Sequence, residues 1–356
     1  MEGYRYKLLR NYWPGRLGGF FTRLNPGVVW ELRPGAYDAV IMPGWSDFTS
    51  CLAFVAAYRS RLPWIMAGAG ASLFEDARGV KKVLKKVILG ALFRRTSAFL
   101  VRGRSHERAY ERYGVRPGRF IYMPIVVDNE FFSSHSDRAK PNRAAIRARY
   151  QIPSDAVLLL FAGKFVPRKR PQDVLAVLAR LQPTLPQLSA AFVGEGELRP
   201  FLEAEVRRLG LRNVFLLGFK NQSEMPEMYA MSDFLVLPSS YEPWGLVTNE
   251  AMACGLPVVV SSRVGASLEI VRVGDNGFVY SVGDIDALTS VVRRLAEDRS
   301  LRERMGRRSC EIIQGFSYDQ CVEGILAAVQ FVSKRKGAGS RPCFVAPKGD
   351  VPVPGS

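Results

Sequence analysis

The chain has 356 residues, 47% apolar and 23% charged, a composition typical of a soluble globular protein and too long for one ordinary core, so two domains are expected. No apolar run reaches the roughly 18 residues of a membrane span, the first ten residues lack the pattern of a secretory leader, and Cys51, Cys254, Cys310, Cys321 and Cys343 are odd in number and without paired spacing, which argues for a reducing compartment and against a metal site. The net charge of +17 is concentrated in residues 1–150, with 26 Lys or Arg against 11 Asp or Glu; no zinc-finger, zipper or RNA-sheet motif accompanies it, so nucleic acid is not expected and a membrane surface or acidic substrate is.

Residues 1–37 are broken by Pro14, Gly15, Gly18, Gly19, Pro26, Gly27 and Pro34 and carry no expected element. A strand from Tyr37 to Met42, a helix from Ser50 to Arg59 and a strand from Pro63 to Met66 then suggest parallel α/β units. From Val80 to Arg95 the spacing predicts a helix with Val80, Val83, Leu84, Val87 and Ala91 on one face and Lys81, Lys82, Lys85 and Lys86 off it. Two readings stay open there: the apolar stripe packs on the sheet and the lysines are solvated, or the lysines, with Arg94 and Arg95, attract anionic lipid. A strand (Ala98 to Arg102), a helix (Ser105 to Tyr113) and the run Ile121 to Val127 lead into Asp128-Asn129-Glu130-Phe131-Phe132, where Asp128 can be a turn residue. The two histidines, His106 and His135, are expected at the surface. Residues 133–150, polar, basic and strandless, read as a linker.

The pattern restarts with a strand from Val157 to Phe161, the loop Gly163-Lys164 to Lys169, and a helix from Gln172 to Leu181. Two cations after a strand end suit a diphosphate, although a solvated basic loop has the same composition. A strand (Leu188 to Phe192) with the turn Val193-Gly194-Glu195-Gly196, a strand (Val214 to Leu217) with Gly218-Phe219-Lys220, a helix (Met225 to Met231) and a strand (Asp233 to Pro238) follow. The stretch 239–261 is the richest. Pro243 and Gly245 make a loop, Val247 to Cys254 a helix, Gly255 its stop, and Pro257 opens a buried strand. Free N–H groups near Gly245, Leu246 and Val247 favour an anion, and Glu242 and Glu250, eight residues apart, bracket it with hydroxyl-accepting carboxylates. A diphosphate with a diol at each end fits, which is a nucleotide-sugar; either glutamate alone can equally be solvated. Helices from Ile285 to Leu295, Leu301 to Ile313 and Phe316 to Val332 close the pattern, with Arg302, Arg304, Arg307 and Arg308 expected as a solvated face.

The Glu242-to-Glu250 stretch resembles the Glu-x7-Glu signature of retaining GT-B-fold glycosyltransferases of family four, the glycosyl transferases group 1. The resemblance covers residues 155–325, including Gly163 to Lys169 with Lys164 where the family usually has Arg, Gly218 to Lys220, and Gly265 to Phe278; it is recognisable over 37–132. It implies an α/β GT-B architecture, two Rossmann-like domains facing a cleft. These would be an incomplete acceptor-side domain at 1–150 with linker 133–150, a nucleotide-sugar domain at 151–315, a helix at 316–336 crossing back, and a disordered tail at 337–356. It also implies transfer of a hexosyl group from a nucleotide-diphosphate sugar to a hydroxyl acceptor with retention. No cofactor beyond that co-substrate and no metal are implied, the leaving-group charge falling on Lys164, Lys169 and the helix N-terminus. Residue by residue, the resemblance gives Glu242 the catalytic position and assigns the donor to Gly163, Lys164, Lys169, Gly194, Phe219, Lys220, Gly245, Leu246, Val247 and Glu250. With the basic first half it suggests a carbohydrate or lipid-linked acceptor, lipid-linked glycan or surface polysaccharide synthesis, and a cytoplasmic protein peripheral at the inner membrane face.

The family's opening strand and glycine-rich loop are not visible in residues 1–36, so the chain is expected to begin within the first domain and to bind donor better than it transfers. The family's histidine loop is Ala67 to Ser72 here, and no catalytic base is assigned. Two other readings share the fold: a nucleotide-sugar epimerase or hydrolase, and a non-catalytic nucleotide-sugar-binding remnant.

Overall fold

The computed structural model describes residues 6–12, 23–68 and 80–335; the side chains of Val80, Lys81, Lys82, Leu84 and Arg335, the expected loop beyond Gly68 and the expected tail at 337–356 lie outside that description. The chain divides into two compact units, Met1–Pro124 with Cys321–Ser356, and Ile125–Gln320.

The first unit holds a parallel sheet in the order β1 (Val40–Met42), β2 (Trp64–Met66), β3 (Ala98–Val101), β4 (Phe120–Tyr122). On one face Met42, Trp64, Met66, Phe99 and Val101 pack with Phe54 and Ala57 of α2 (Phe48–Arg59), Leu89 and Phe93 of α3 (Val80–Arg95) and Tyr110 of α4 (Arg104–Glu111). On the other, Ile65, Ala98 and Leu100 meet Ala328 and Val332 of the last helix, α13 (Tyr318–Arg335). Burial on both faces is why the central strands β2 and β3 read as continuous apolar runs, without alternation. A Cβ at Gly324 would overlap the Tyr122 carbonyl oxygen, so glycine there lets α13 lie directly on the end of β4.

Two expectations are corrected. The buried face of α3 is Leu89 and Phe93, 4% and 1% exposed, whereas Val83, Val87 and Ile88 are 64%, 63% and 56% exposed. The cause is aromatic: Phe93 makes edge-to-face contacts with Trp45, Phe99, Tyr110 and Tyr113 at 5.0–5.6 Å, and this larger cluster fixes the helix rotation against the valine stripe. His106, expected at the surface, is 2% exposed, because positions 106, 109 and 110 share the inward face of α4. His135 is exposed, as expected.

The second unit holds a parallel sheet in the order β10-β9-β8-β5-β6-β7, formed by β5 (Val157–Ala162), β6 (Leu188–Val193), β7 (Val214–Leu216), β8 (Phe234–Leu237), β9 (Val258–Ser261) and β10 (Gly277–Tyr280). Of these only β10 was not expected as a strand; it emerges from the Gly274–Phe278 turn. Helix α8 (Arg199–Arg208) was also unforeseen. Residues 133–150, expected as linker, fall largely in α5 (Asn129–Ala139) and α6 (Arg143–Arg149). Asp128 is the N-cap of α5, accepting from the Phe131 N–H at 2.8 Å.

Helix α6 is held by a buried arginine. Arg147, 2% exposed, donates to the carbonyls of Met231, Ser154 and Ala156 at 2.9 Å each and to the Asp233 carboxylate at 3.0 Å. The same carboxylate oxygen accepts from the Leu158 N–H at 2.8 Å, so one network joins α6 to the starts of β5 and β8. Arg302, expected on a solvated face, is also largely buried, donating to the Leu295 and Ala296 carbonyls and lying 3.7 Å from Asp233. Removing one side of such a network leaves buried groups unpaired. Arg147→Met should lower unfolding free energy by about 3–5 kcal/mol in urea titrations. A loss under about 1 kcal/mol would show that α6 is held otherwise.

Candidate functional site

In the second unit the connection from β5 runs outward to β6 and β7, while β8, β9 and β10 build the other way from β5's opposite edge. The neighbours β5 and β8 thus flank a topological switch point, where the carboxyl ends of parallel strands leave a crevice for ligands. The loop after β5 carries Gly163 to Lys169 and ends in α7 (Pro171–Leu181); the loop after β8 carries Ser239 to Gly245 and ends in α10 (Leu246–Ala253).

These two loops are joined. Lys169 Nζ forms an ion pair and hydrogen bond with Glu242 Oε2, both side chains being mostly buried at 11% and 14% exposed, and Arg168 lies 3.6 Å from the same oxygen. The Ser240 N–H donates to the Arg168 carbonyl at 2.8 Å. The Lys169 stem lies at ordinary contact distance, 3.7–3.8 Å, from where a Gly163 Cβ would stand, whereas a Cβ at Gly194 would overlap the Gly163 carbonyl, so glycine is needed at 194. The Gly163 N–H donates to Val193 and the Gly194 N–H to Gly218, both at 2.9 Å, so the ends of β5, β6 and β7 form one backbone shelf.

Gly245 occupies the left-handed region (φ +94°) at the start of α10, where a side chain would come within 2.9 Å of Leu237 Cδ2 and 3.3 Å of Glu242 Cγ. The Thr248 N–H bonds back to the Gly245 carbonyl at 2.8 Å; the preceding N–H groups of Leu246 and Val247 have no carbonyl within the helix to accept them. The buried Thr248 Oγ1 also has no partner among the described residues. The loop is braced by Trp244, whose indole N–H donates to Asn249 Oδ1 at 2.8 Å, while Asn249 Nδ2 donates to the Ile125 carbonyl at 3.1 Å.

Glu250 lies one turn further along α10. The Tyr229 hydroxyl, on α9 (Met225–Met231), donates to its Oε2 at 2.6 Å, and no protein donor among the described residues reaches Oε1. Burial pushes the Glu250 carboxyl above its usual range, and the Tyr229 bond pulls the other way. Of the expected residues, then, Gly194, Gly163, Lys169, Glu242 and Gly245 are linked by successive contacts, and Leu246, Val247 and Glu250 follow on α10. Lys164 and Phe219 are exposed, and Lys220 is turned to Glu224 at 3.5 Å and to the Tyr150 ring at 5.2 Å. Sequence reasoning missed Tyr229, Arg168, Trp244 and Asn249. Only the last pair left a local signal, a buried-type indole five residues from an amide.

The family described as glycosyl transferases group 1 matches residues 142–311. The chain is 34% identical over 307 residues to the D-inositol 3-phosphate glycosyltransferase of Streptomyces scabiei (strain 87.22), covering 81% of this chain and 66% of that protein. With the protein of the same name from Streptomyces bingchenggensis (strain BCW-1) it shares 29% identity over 324 residues, 84% and 68% of the two chains. Across such relatives the aligned share of their own length ranges from 42% to 68%. The crystal structure of Anabaena Alr3699/HepE in complex with UDP matches 82% of this chain and 78% of its own with a TM-score of 0.69 at 21% identity, a likeness of fold.

Tyr229→Phe removes the only described donor to Glu250. Its carboxyl should then titrate at higher pH than in the wild type, followed by NMR of 13C-labelled glutamate side chains. An unchanged or lower midpoint would mean that the hydroxyl does not stabilise the ionised form.

Proposed function

Residues 142–311 form a glycosyl transferases group 1 domain within a GT-B fold, and from that premise we propose that the protein transfers a hexosyl group from a nucleotide-diphosphate sugar to a hydroxyl acceptor with retention of configuration. The observation that carries the reading is the switch point between β5 and β8, beyond which lie open helix N–H groups, a buried Lys169–Glu242 pair and a half-satisfied Glu250 carboxylate. The diphosphate sits at the amides of Leu246 and Val247, with Lys169 and the exposed Lys164 as counter-charges. Lys164 supplies a point charge where an arginine would fork across two oxygens. Glu250 takes the ribose hydroxyls through Oε1, and Glu242, oriented by Lys169, takes hydroxyls of the transferred sugar.

Charge developing on the departing diphosphate is stabilised by fixed donors, the two lysines and the helix terminus, without a metal. Retention is supported by the family resemblance alone. A uridine nucleotide is the first donor to test, since the HepE structures hold UDP and UDP-glucose. The relatives' name directs the acceptor search to phosphorylated polyols.

The basic first unit supports an acceptor met at an anionic membrane surface, on the cytoplasmic side. On α3 the exposed Val83, Val87 and Ile88 stand beside the exposed Lys86, and Arg94 and Arg95 are exposed at its end. An apolar ridge edged with cations suits the boundary of a bilayer containing anionic lipid. No described helix is long and apolar enough to cross a membrane.

Hydrogen bonds to a charged group are worth about 1.5–3 kcal/mol, so Glu250→Ala should weaken nucleoside diphosphate binding about ten-fold or more by calorimetry. Glu242→Ala should weaken the intact sugar nucleotide far more than the nucleoside diphosphate. Unchanged affinity in a folded Glu250 variant, or equal losses for both ligands at Glu242, would overturn these roles. Because the Glu250 carboxyl titrates above its ordinary value, nucleotide binding should fall with acidity from a higher pH than an ordinary carboxylate would give.

Vesicle co-sedimentation should require anionic lipid, decline as salt rises and decrease further in Val87→Asp, given about 1 kcal/mol per cation near the surface and a screening length of about 8 Å. Salt-independent binding to neutral vesicles, or none, would return α3 to ordinary sheet packing.

A further inference from the structure

In the first unit a second constellation lies at the carboxyl end of the sheet. Arg102 follows β3 directly, Gly103 separates it from α4, and α4 turns His106 and Tyr110 inward. The Tyr110 hydroxyl, fully buried, donates to the carbonyl of Gly68 at 2.8 Å, just beyond the end of β2. A Cβ at Gly68 would in turn overlap the carbonyl of Pro43, just beyond β1. Three neighbouring strand ends therefore meet around one arginine, one histidine and one tyrosine.

Two polar atoms of this cluster are buried without a hydrogen-bond partner among the described residues, Arg102 Nε and His106 Nδ1. Buried donors and acceptors are seldom left unpaired, and such pairs of orphans mark positions of an ordered water, an ion or a ligand. Charge decides between these. No Asp or Glu among the described residues forms an ion pair with Arg102, and burial lowers its pKa, with Tyr110 the one group acting in the opposite sense. Water would meet the hydrogen bonds but leave the cation without a counter-charge from the described residues, whereas an oxyanion meets both needs. His106 is suited to the same partner. Burial first, and the Arg102 charge second, push its pKa down to about 4, so the ring is neutral at ordinary pH and one nitrogen carries a donor proton.

We propose that Arg102 and His106 form a binding site for a small oxyanion, a phosphate group being the chemistry that best matches a guanidinium fork beside a neutral imidazole donor. The site lies in the first unit and does not depend on the donor reading. Only its assignment to the acceptor's side of a transfer reaction rests on that reading.

The chain's having two histidines makes the test direct. With 15N-labelled histidine and no nucleotide present, inorganic phosphate and glycerol 1-phosphate are titrated near neutral pH at ionic strength held constant with chloride. The His106 ring signals should shift saturably while those of the exposed His135 do not, and Arg102→Gln should weaken the response about ten-fold or more. Tighter binding of glycerol 1-phosphate assigns the phosphate to a polyol ligand; tighter binding of inorganic phosphate assigns it to a free ion. A His106 signal that stays fixed, or that moves equally in Arg102→Gln, overturns the site. Should that variant fail to fold, the wild-type contrast between the two histidines still decides. Because no nucleotide is used, failure here leaves the donor assignments of the second unit standing, and their failure leaves this site standing.

Discussion

The ion pair between Lys169 and Glu242 is the constraint on which the candidate site depends. It ties the loop leaving β5 to the loop leaving β8, the two strands between which the sheet reverses its order, and so fixes the two loops at that switch point. Its geometry propagates outward. The Lys169 stem runs in contact with Gly163, and the Glu242 stem runs beside Gly245, where an added Cβ would stand 3.3 Å from Glu242 Cγ and crowd the pair. Gly245 in its left-handed conformation then starts α10 at the angle that presents the Leu246 and Val247 amides. With both partners largely buried, loss of one would strand the charge of the other, and the loops would be expected to separate.

The two units divide the chemistry. In the second, acidic and basic side chains nearly balance and are used in pairs: Arg147 with Asp233 for structure, Lys169 with Glu242 and Tyr229 with Glu250 in the crevice. In the first, Lys and Arg outnumber Asp and Glu by more than two to one. Uncompensated positive charge on a small domain costs stability through self-repulsion, so its retention there is consistent with anionic partners supplied from outside.

The sequence made the site more legible than its surroundings. Glu242, Gly245 and Lys169 lie in short connections whose chemistry is local, with Glu250 on the helix that follows, and a strand end followed by glycine and a helix start can be read without tertiary information. Tyr229 could not be found this way, since its meeting with Glu250 is a tertiary contact, made where α9 and α10 both pack on α5, between residues 21 apart in the chain. Nor could the burial of Arg147 and Arg302, because arginine in a helix is by default solvated and only Asp233 and a set of free carbonyls draw them inward. The rotation of α3 was misread for a related reason: periodicity located the helix, but four aromatic neighbours of Phe93 set its inward face. Residues 133–150 failed as a linker because a thin apolar stripe, Phe132 and Ile146 among polar residues, was enough once Asp128 capped the first helix and Arg147 anchored the second.

The most direct test of the central claim is a crystal structure with a nucleoside diphosphate bound, UDP being the first to try. The account predicts phosphate oxygens within hydrogen-bond distance of the Leu246 and Val247 amides and of Lys169, with both ribose hydroxyls on Glu250 Oε1 and the Tyr229–Glu250 bond kept. A nucleotide seated away from the β5–β8 crevice, or one whose ribose faces another side chain while Glu250 remains with Tyr229 alone, would contradict it.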